Sequence, residues 1–203
     1  MNLNEHQKKV DLPCNCADKS KCMLDGDCNA SELVYKTEAY IKDPKGSDTL
    51  YVEDDNGNLE PAGGNHDPKH YMGKTARAFK TRYREHNLSL KIPPKQYRYR
   101  GEDRTRTDQE INDLIEERRN KSMLAKYVWK MRDKGRETVL KWSLSKRAHR
   151  YTIGCKFCDL CATEKTCIAL GDPKYMLNKR TEIYRKCDYM KRYKLEALLT
   201  DPP

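Results

Sequence analysis

Between residues 33 and 41 the chain reads Leu-Val-Tyr-Lys-Thr-Glu-Ala-Tyr-Ile. This run is β-branched and aromatic at its start, and it predicts a first strand. A short Thr49-Leu50-Tyr51-Val52 run precedes Asp55-Asn56-Gly57, whose Asn-Gly pair signals a hairpin. The second core strand is expected to end at Tyr71, leaving much of 53–69 as an inserted loop. A helical period follows Gly73, a residue expected to let the backbone turn tightly there. Phe79 and Tyr83 lie four apart on one face, and Arg82 and His86 lie four apart on a neighbouring one. This helix should end near Leu90, ahead of Pro93-Pro94, and 95–106 reads as a basic, tyrosine-containing loop.

Thr107-x-x-Glu110 is a capping-box pattern, followed by Ile111, Leu114 and Ile115 on one helical face. Ser122 opens another helix, with Leu124, Val128 and Met131 in register and Gly135 as its stop. Residues 138–144 alternate, with Leu140, Trp142 and Leu144 on one side, and predict a third strand. A helical segment over 162–170 carries Glu164 and closes at Gly171; a last Lys/Tyr-rich helix is expected over about 181–199. Strands and helices in this order predict an α+β domain.

Composition limits that domain. Of 203 residues, 36% are hydrophobic and 35% charged, so the core is modest and the insertions are solvated. No apolar run approaches the ~20 residues needed to cross a bilayer. The first ten residues lack the apolar core of a secretory signal, so an intracellular chain is expected. The net charge of +10 is unevenly spread: −6 over 1–71, +13 over 72–150 and +3 over 151–203. The central third is therefore the candidate polyanion-binding surface.

Nine cysteines fall into two groups. Cys14, Cys16, Cys22 and Cys28 lie in an Asp/Lys/Gly-rich stretch without periodicity, a pattern that suits tetrahedral zinc, with disulfides or free thiols as alternatives. Cys158 and Cys161 are further candidate zinc ligands. They form a knuckle with Cys155 and Cys187, or they complete the N-terminal site. For Cys167, and for Cys187 outside such a knuckle, a buried apolar role is the simpler expectation.

The chemistry-bearing residues follow the same order as the elements. Val34-Tyr35 opens the first strand, Tyr71-Met72-Gly73 ends the second, Arg82 and His86 sit on the next helix, and Glu164 and Asn178 come late. This plan resembles the GIY-YIG nuclease domain, a small three-stranded antiparallel sheet flanked by helices. The likeness is nearest to the endonuclease of Penelope-like retroelements. It rests on the cysteines ahead of Val34-Tyr35-Lys36, on Lys126-Tyr127-Val128-Trp129-Lys130, on Cys158-Asp-Leu-Cys161-x-x-Glu164-Lys165 and on Leu177-Asn178-Lys179-Arg180. The chain departs from the family pattern in lacking the glycine ahead of Val34 and in carrying insertions at about 43–69 and 93–121.

The resemblance implies a cysteine-rich zinc segment (1–30), a nuclease domain (31–190) and a tail (191–203). It implies Tyr35, Tyr71, Arg82, His86, Glu164 and Asn178 as catalytic residues, with Glu164 holding Mg²⁺ or Mn²⁺. It also implies double-stranded DNA as substrate, a reverse transcriptase domain or its RNA template as partner, and residence in the nucleus. The reaction expected is a nick that primes reverse transcription. A zinc-stabilised nucleic-acid-binding module without cleavage is the alternative.

Overall fold

The structure, a computed structural model, describes residues 14–64, 66–151 and 157–187. Its centre is strand β1 (Leu33–Lys42), against which every neighbour runs antiparallel. On one side lies β7 (Thr138–Arg147). On the other, β4 (Lys69–Thr75) pairs with residues 33–39, and β2 (Leu50–Glu53) takes the last two positions of β1. β2 turns through the Asp54–Asn58 loop, with Gly57 at φ +86°, into β3 (Leu59–Pro61).

The sheet therefore has five strands rather than the three expected, because β1 outruns β4 and its exposed end recruits the β2–β3 hairpin. The three-stranded centre, β4–β1–β7, is present as expected. β4 does not end at Tyr71 but continues through Gly73 to Thr75.

Alternation along β1 separates two cores. Leu33, Tyr35, Thr37, Ala39 and Ile41 are all buried on one face. There they meet α1 (Phe79–Leu90) and α3 (Met123–Asp133), which contributes Leu124 and Val128. Helix α2 (Asp108–Arg119) packs outside this pair, opened by the Thr107–Glu110 capping box. On the opposite face Val34 and Met72 meet Cys158, Leu160, Cys161 and Ile168 of the α4 region (Asp159–Leu170).

Residues 95–106 form no loop. They make a β-ribbon, β5 (Gln96–Tyr99) with β6 (Glu102–Thr105), turning through Arg100 and Gly101, both at positive φ. Past α4 a 3₁₀ turn spans Arg180–Tyr184. The rest of the helix expected over 181–199 falls largely outside the described residues, as do Cys155 and the 191–203 tail. Among the described residues no helix is long and apolar enough to cross a membrane.

Helix α1 has no side-chain cap at its start and no acidic residue in its first turn, so its orphan N–H groups need other partners. The cysteine segment supplies them: Phe79 N donates to Ala30 O (2.9 Å) and Lys80 N to Cys28 O (2.7 Å). At the far end Trp129 Nε1 donates to Ser89 O (2.9 Å) and Arg132 Nη2 to Leu90 O (2.8 Å). Both ends of α1 are thus fixed from outside the helix.

Candidate functional site

The cleft that gathers the polar residues opens at the outer edge of β4, where α1 overhangs one face of the sheet and α4 the other. Its volume is about 520 Å³, and Tyr71, Lys74, Arg77, Arg82, Glu164 and Glu182 line it. Tyr71, Arg82 and Glu164, separated by up to 93 positions in sequence, come together here as expected.

Tyr35 and His86 stand behind the cleft wall. Tyr35 is fully buried and lies across the strands from Gly73, while Tyr71 pairs with Thr37, so the two phenols sit diagonally on one face rather than directly opposite. Gly73 is not at positive φ and makes no turn. Its lack of a side chain leaves room for the Tyr35 ring: a Cβ there would stand 2.3 Å from Tyr35 Oη.

Tyr35 Oη accepts from Arg82 Nε (3.2 Å) and bonds to His86 Nε2 (2.7 Å). Burial, with Arg82 adding to it, drives the His86 pKa down to about 3, so the imidazole is neutral near pH 7. Burial pushes Tyr35 up to about 12 against the pull of Arg82, so the phenol keeps its proton. The arrangement using every donor has Tyr35 Oη–H donating to a neutral Nε2. Burial, reinforced by Tyr35, raises Tyr71 well above the ordinary phenol range.

The imidazole is walled in by rings: Trp142 at 5.3 Å, Tyr35 at 5.8 Å and Tyr71 at 5.9 Å between centroids. Glu85, one turn along α1, accepts from Arg82 Nη1 (3.0 Å) and Arg77 Nη2 (2.5 Å) and aims both guanidinium groups.

On the opposite wall, Glu164 forms an ion pair with Lys74. Burial raises the Glu164 pKa and Glu182 adds to this; Lys74 and Arg82 oppose it without cancelling it. Asn178 stays out of the cleft. It is buried, accepts from Met72 N (2.7 Å) and donates to Met72 O (2.9 Å), prolonging the pairing of residues 175–177 with β4. Its amide also donates to Glu182 Oε2 (3.2 Å), so it braces the β4 edge and the Glu182 carboxylate together.

The cysteines form two separate groups. Cys14, Cys16, Cys22 and Cys28 converge with all sulfurs within 4.8 Å of one another, so the N-terminal group needs no help from Cys158 or Cys161. Two of the Sγ–Sγ distances are 3.5 and 3.7 Å. A tetrahedron with Zn–S of ~2.3 Å requires about 3.8 Å, so the four thiols could hold a metal and are compatible with structural zinc. Burial works against a Cys22 thiolate, yet the backbone N–H groups of Leu24 and Gly26 bring its pKa down to about 6. Burial and the neighbouring sulfurs push Cys28 up, the repulsion that a divalent cation would relieve. Cys158, Cys161 and Cys187 form the second group, also within 4.8 Å and also able to hold a metal. Cys155, the remaining candidate, lies outside the described residues.

Compared with models of known families, with curated proteins and with solved structures, the chain matches none. The geometry nonetheless adds residues that sequence reasoning missed. Lys74 directly follows Gly73, so its proximity to Tyr71 was readable from the chain. Glu85 stands three residues after Arg82 on α1, a spacing that was also readable. Glu182 and Trp142 carried no local signal, since each reaches the site only through tertiary packing.

Proposed function

We propose that this protein is a metal-dependent DNA endonuclease with a GIY-YIG-type site, of the Penelope-like retroelement kind, which nicks double-stranded DNA in the nucleus to prime reverse transcription. The observation that carries this reading is the shared cleft: a phenol, a guanidinium and a carboxylate from three separate elements, with further cations at its rim. Hydrolysing a phosphodiester requires stabilisation of charge on the phosphoryl oxygens, an oriented water and a route for its proton. Arg82, held by Tyr35 and Glu85, would grip the non-bridging oxygens. Tyr71 would orient the attacking water. Neutral His86 is a hydrogen-bond acceptor that holds the Tyr35 hydroxyl, and through it Arg82, in place, while the water's proton would leave to solvent at the open cleft. Asn178 acts through Met72 and Glu182 as a positioning residue.

The carboxylates of Glu164 and Glu182 are hard oxygen donors and suit Mg²⁺ or Mn²⁺. Such an ion, when bound, would draw charge from the phosphoryl oxygens. Zinc at the N-terminal cysteines would be structural. A reverse transcriptase domain would extend the 3′-hydroxyl released, with its RNA as the template copied.

One observation favours a second reading, a nucleic-acid-binding module that has lost cleavage: Lys74 occupies the carboxylate that the divalent ion needs. Nicking of supercoiled plasmid separates the two. The nuclease reading expects Mg²⁺-dependent nicking by wild type and its loss in Glu164→Ala and Arg82→Ala. If all three proteins bind DNA and none cuts it, the module reading replaces the nuclease.

A further inference from the structure

The β5–β6 ribbon stands outside the cleft, and the proposed chemistry makes no use of it. All its residues but Tyr97 are exposed, and the ribbon packs mainly on itself. A lone two-stranded ribbon is marginally stable in water. This one is held by devices of its own. The Arg100–Gly101 turn has φ of +52° and +88°, as a tight two-residue hairpin loop requires. Its root is fixed by Arg106 N to Lys95 O (2.8 Å) and Arg106 Nη1 to Pro94 O (2.7 Å).

The register places both tyrosines on one face, and the positive surplus comes from Arg100 in the turn and Arg106 past the end of β6. Arg98 pairs with Asp103 and Gln96 with Thr105, so one face is balanced. The other carries Tyr97 opposite Arg104 and Tyr99 opposite Glu102, with Arg106 beyond them. Arg106 stacks on the Tyr97 ring (3.7 Å to its centre), and Arg100 and Arg104 both lie over Tyr99 (5.3 Å). A guanidinium laid on a ring presents its N–H edge outward. Arg104 gives one N–H to Glu102 (3.2 Å) and Arg106 one to Pro94 O, and the remaining N–H groups face solvent for phosphate. Because arginines already cover both rings, the face suits phosphates better than stacked bases.

We infer that this ribbon is a second nucleic-acid contact, gripping duplex DNA by its phosphates through Arg100, Arg104 and Arg106. The major groove, about 12 Å wide, admits a two-stranded ribbon of this kind. The inference rests on the proposed DNA substrate and adds to it an arm remote from the scissile phosphate.

The test is titration of a short labelled DNA duplex, followed by fluorescence anisotropy, between about 50 and 200 mM salt. The proteins are wild type, Arg100→Ala/Arg104→Ala and Arg100→Lys/Arg104→Lys. Each phosphate contact adds about 0.9 to the slope of log affinity against log salt, so the alanine variant should lose nearly two from that slope. It should also bind at least about tenfold more weakly near 0.15 M salt, while its melting temperature stays at the wild-type value. The lysine variant should recover the slope.

Wild-type slope and affinity in the alanine variant would overturn the inference. Absence of duplex binding by wild type would overturn it too. The nuclease reading fails separately: ribbon-dependent binding without nicking leaves the arm in place and removes the enzyme. Nicking and binding indifferent to the ribbon do the reverse.

Discussion

Gly73→Ala puts a methyl group into space that the site's buried tyrosine occupies. The new Cβ would lie 2.3 Å from Tyr35 Oη, 2.4 Å from Cζ and 2.8 Å from Cε2, where contacting carbons sit about 3.5–4.0 Å apart. The ring cannot swing aside freely: Phe79 stands 5.1 Å from it and Trp142 5.8 Å, and its hydroxyl is bonded to Arg82 and His86. Either β4 moves off β1 or the phenol tilts and breaks those bonds. Overpacking of this kind costs about 1–3 kcal/mol, and a buried hydrogen bond left unmade adds about 1–3. Restricting the unfolded chain returns only about 0.4–1 kcal/mol.

The net expectation is a destabilisation of about 2–4 kcal/mol, read as the shift in urea midpoint at unchanged slope. Nicking activity should fall along with stability. In a Tyr35→Ala background the same Gly73→Ala change should cost nothing, giving a coupling of at least about 2 kcal/mol between the two sites. A Gly73→Ala protein as stable as wild type, or costs that add independently of Tyr35, would refute the claim that Gly73 is there to seat the Tyr35 ring.

Other perturbations probe the parts around that ring. His86 has a folded pKa of about 3 against an ordinary 6.5, so the unfolded chain binds the extra proton first. Its contribution, about 5 kcal/mol, is complete above pH 6.5 and is lost as pH falls toward 3; wild type should therefore lose stability over that range more steeply than His86→Gln in urea titrations. Removing a metal from the N-terminal cysteines should loosen the carbonyls of Cys28 and Ala30 that cap α1, worth about 1–2 kcal/mol. Hydrogen exchange at Phe79 and Lys80 should then accelerate, while α3 amides stay protected. Asn178→Ala removes both bonds to Met72 and should cost about 2–4 kcal/mol, with faster exchange at the Met72 amide.

The features that were legible in the sequence are local ones. Thr107 and Glu110 cap α2 as their spacing says, Arg82 and His86 share α1, and Asn56-Gly57 turns the β2–β3 hairpin. The apolar period of α3 and the alternation of β7 also read correctly, because each faces one core. The β5–β6 ribbon escaped notice because charge and tyrosine, rather than apolar residues, alternate along it. An Arg-Gly turn also asks an arginine to take the left-handed conformation. The Gly73 seat, the Trp142 wall and the external caps of α1 are meetings between distant segments. Nothing in the chain near Gly73 announces that Tyr35 will lie across it.

The most direct measurement is the initial rate at which supercoiled plasmid becomes open circle, as a function of Mg²⁺, for wild type and Glu164→Gln at equal DNA occupancy. The cleft chemistry predicts a saturable Mg²⁺ dependence in wild type and a fall of at least about a hundredfold in the variant, the scale of losing a group that stabilises transition-state charge. Equal rates in the two proteins, or no nicking by wild type bound to DNA, would contradict it.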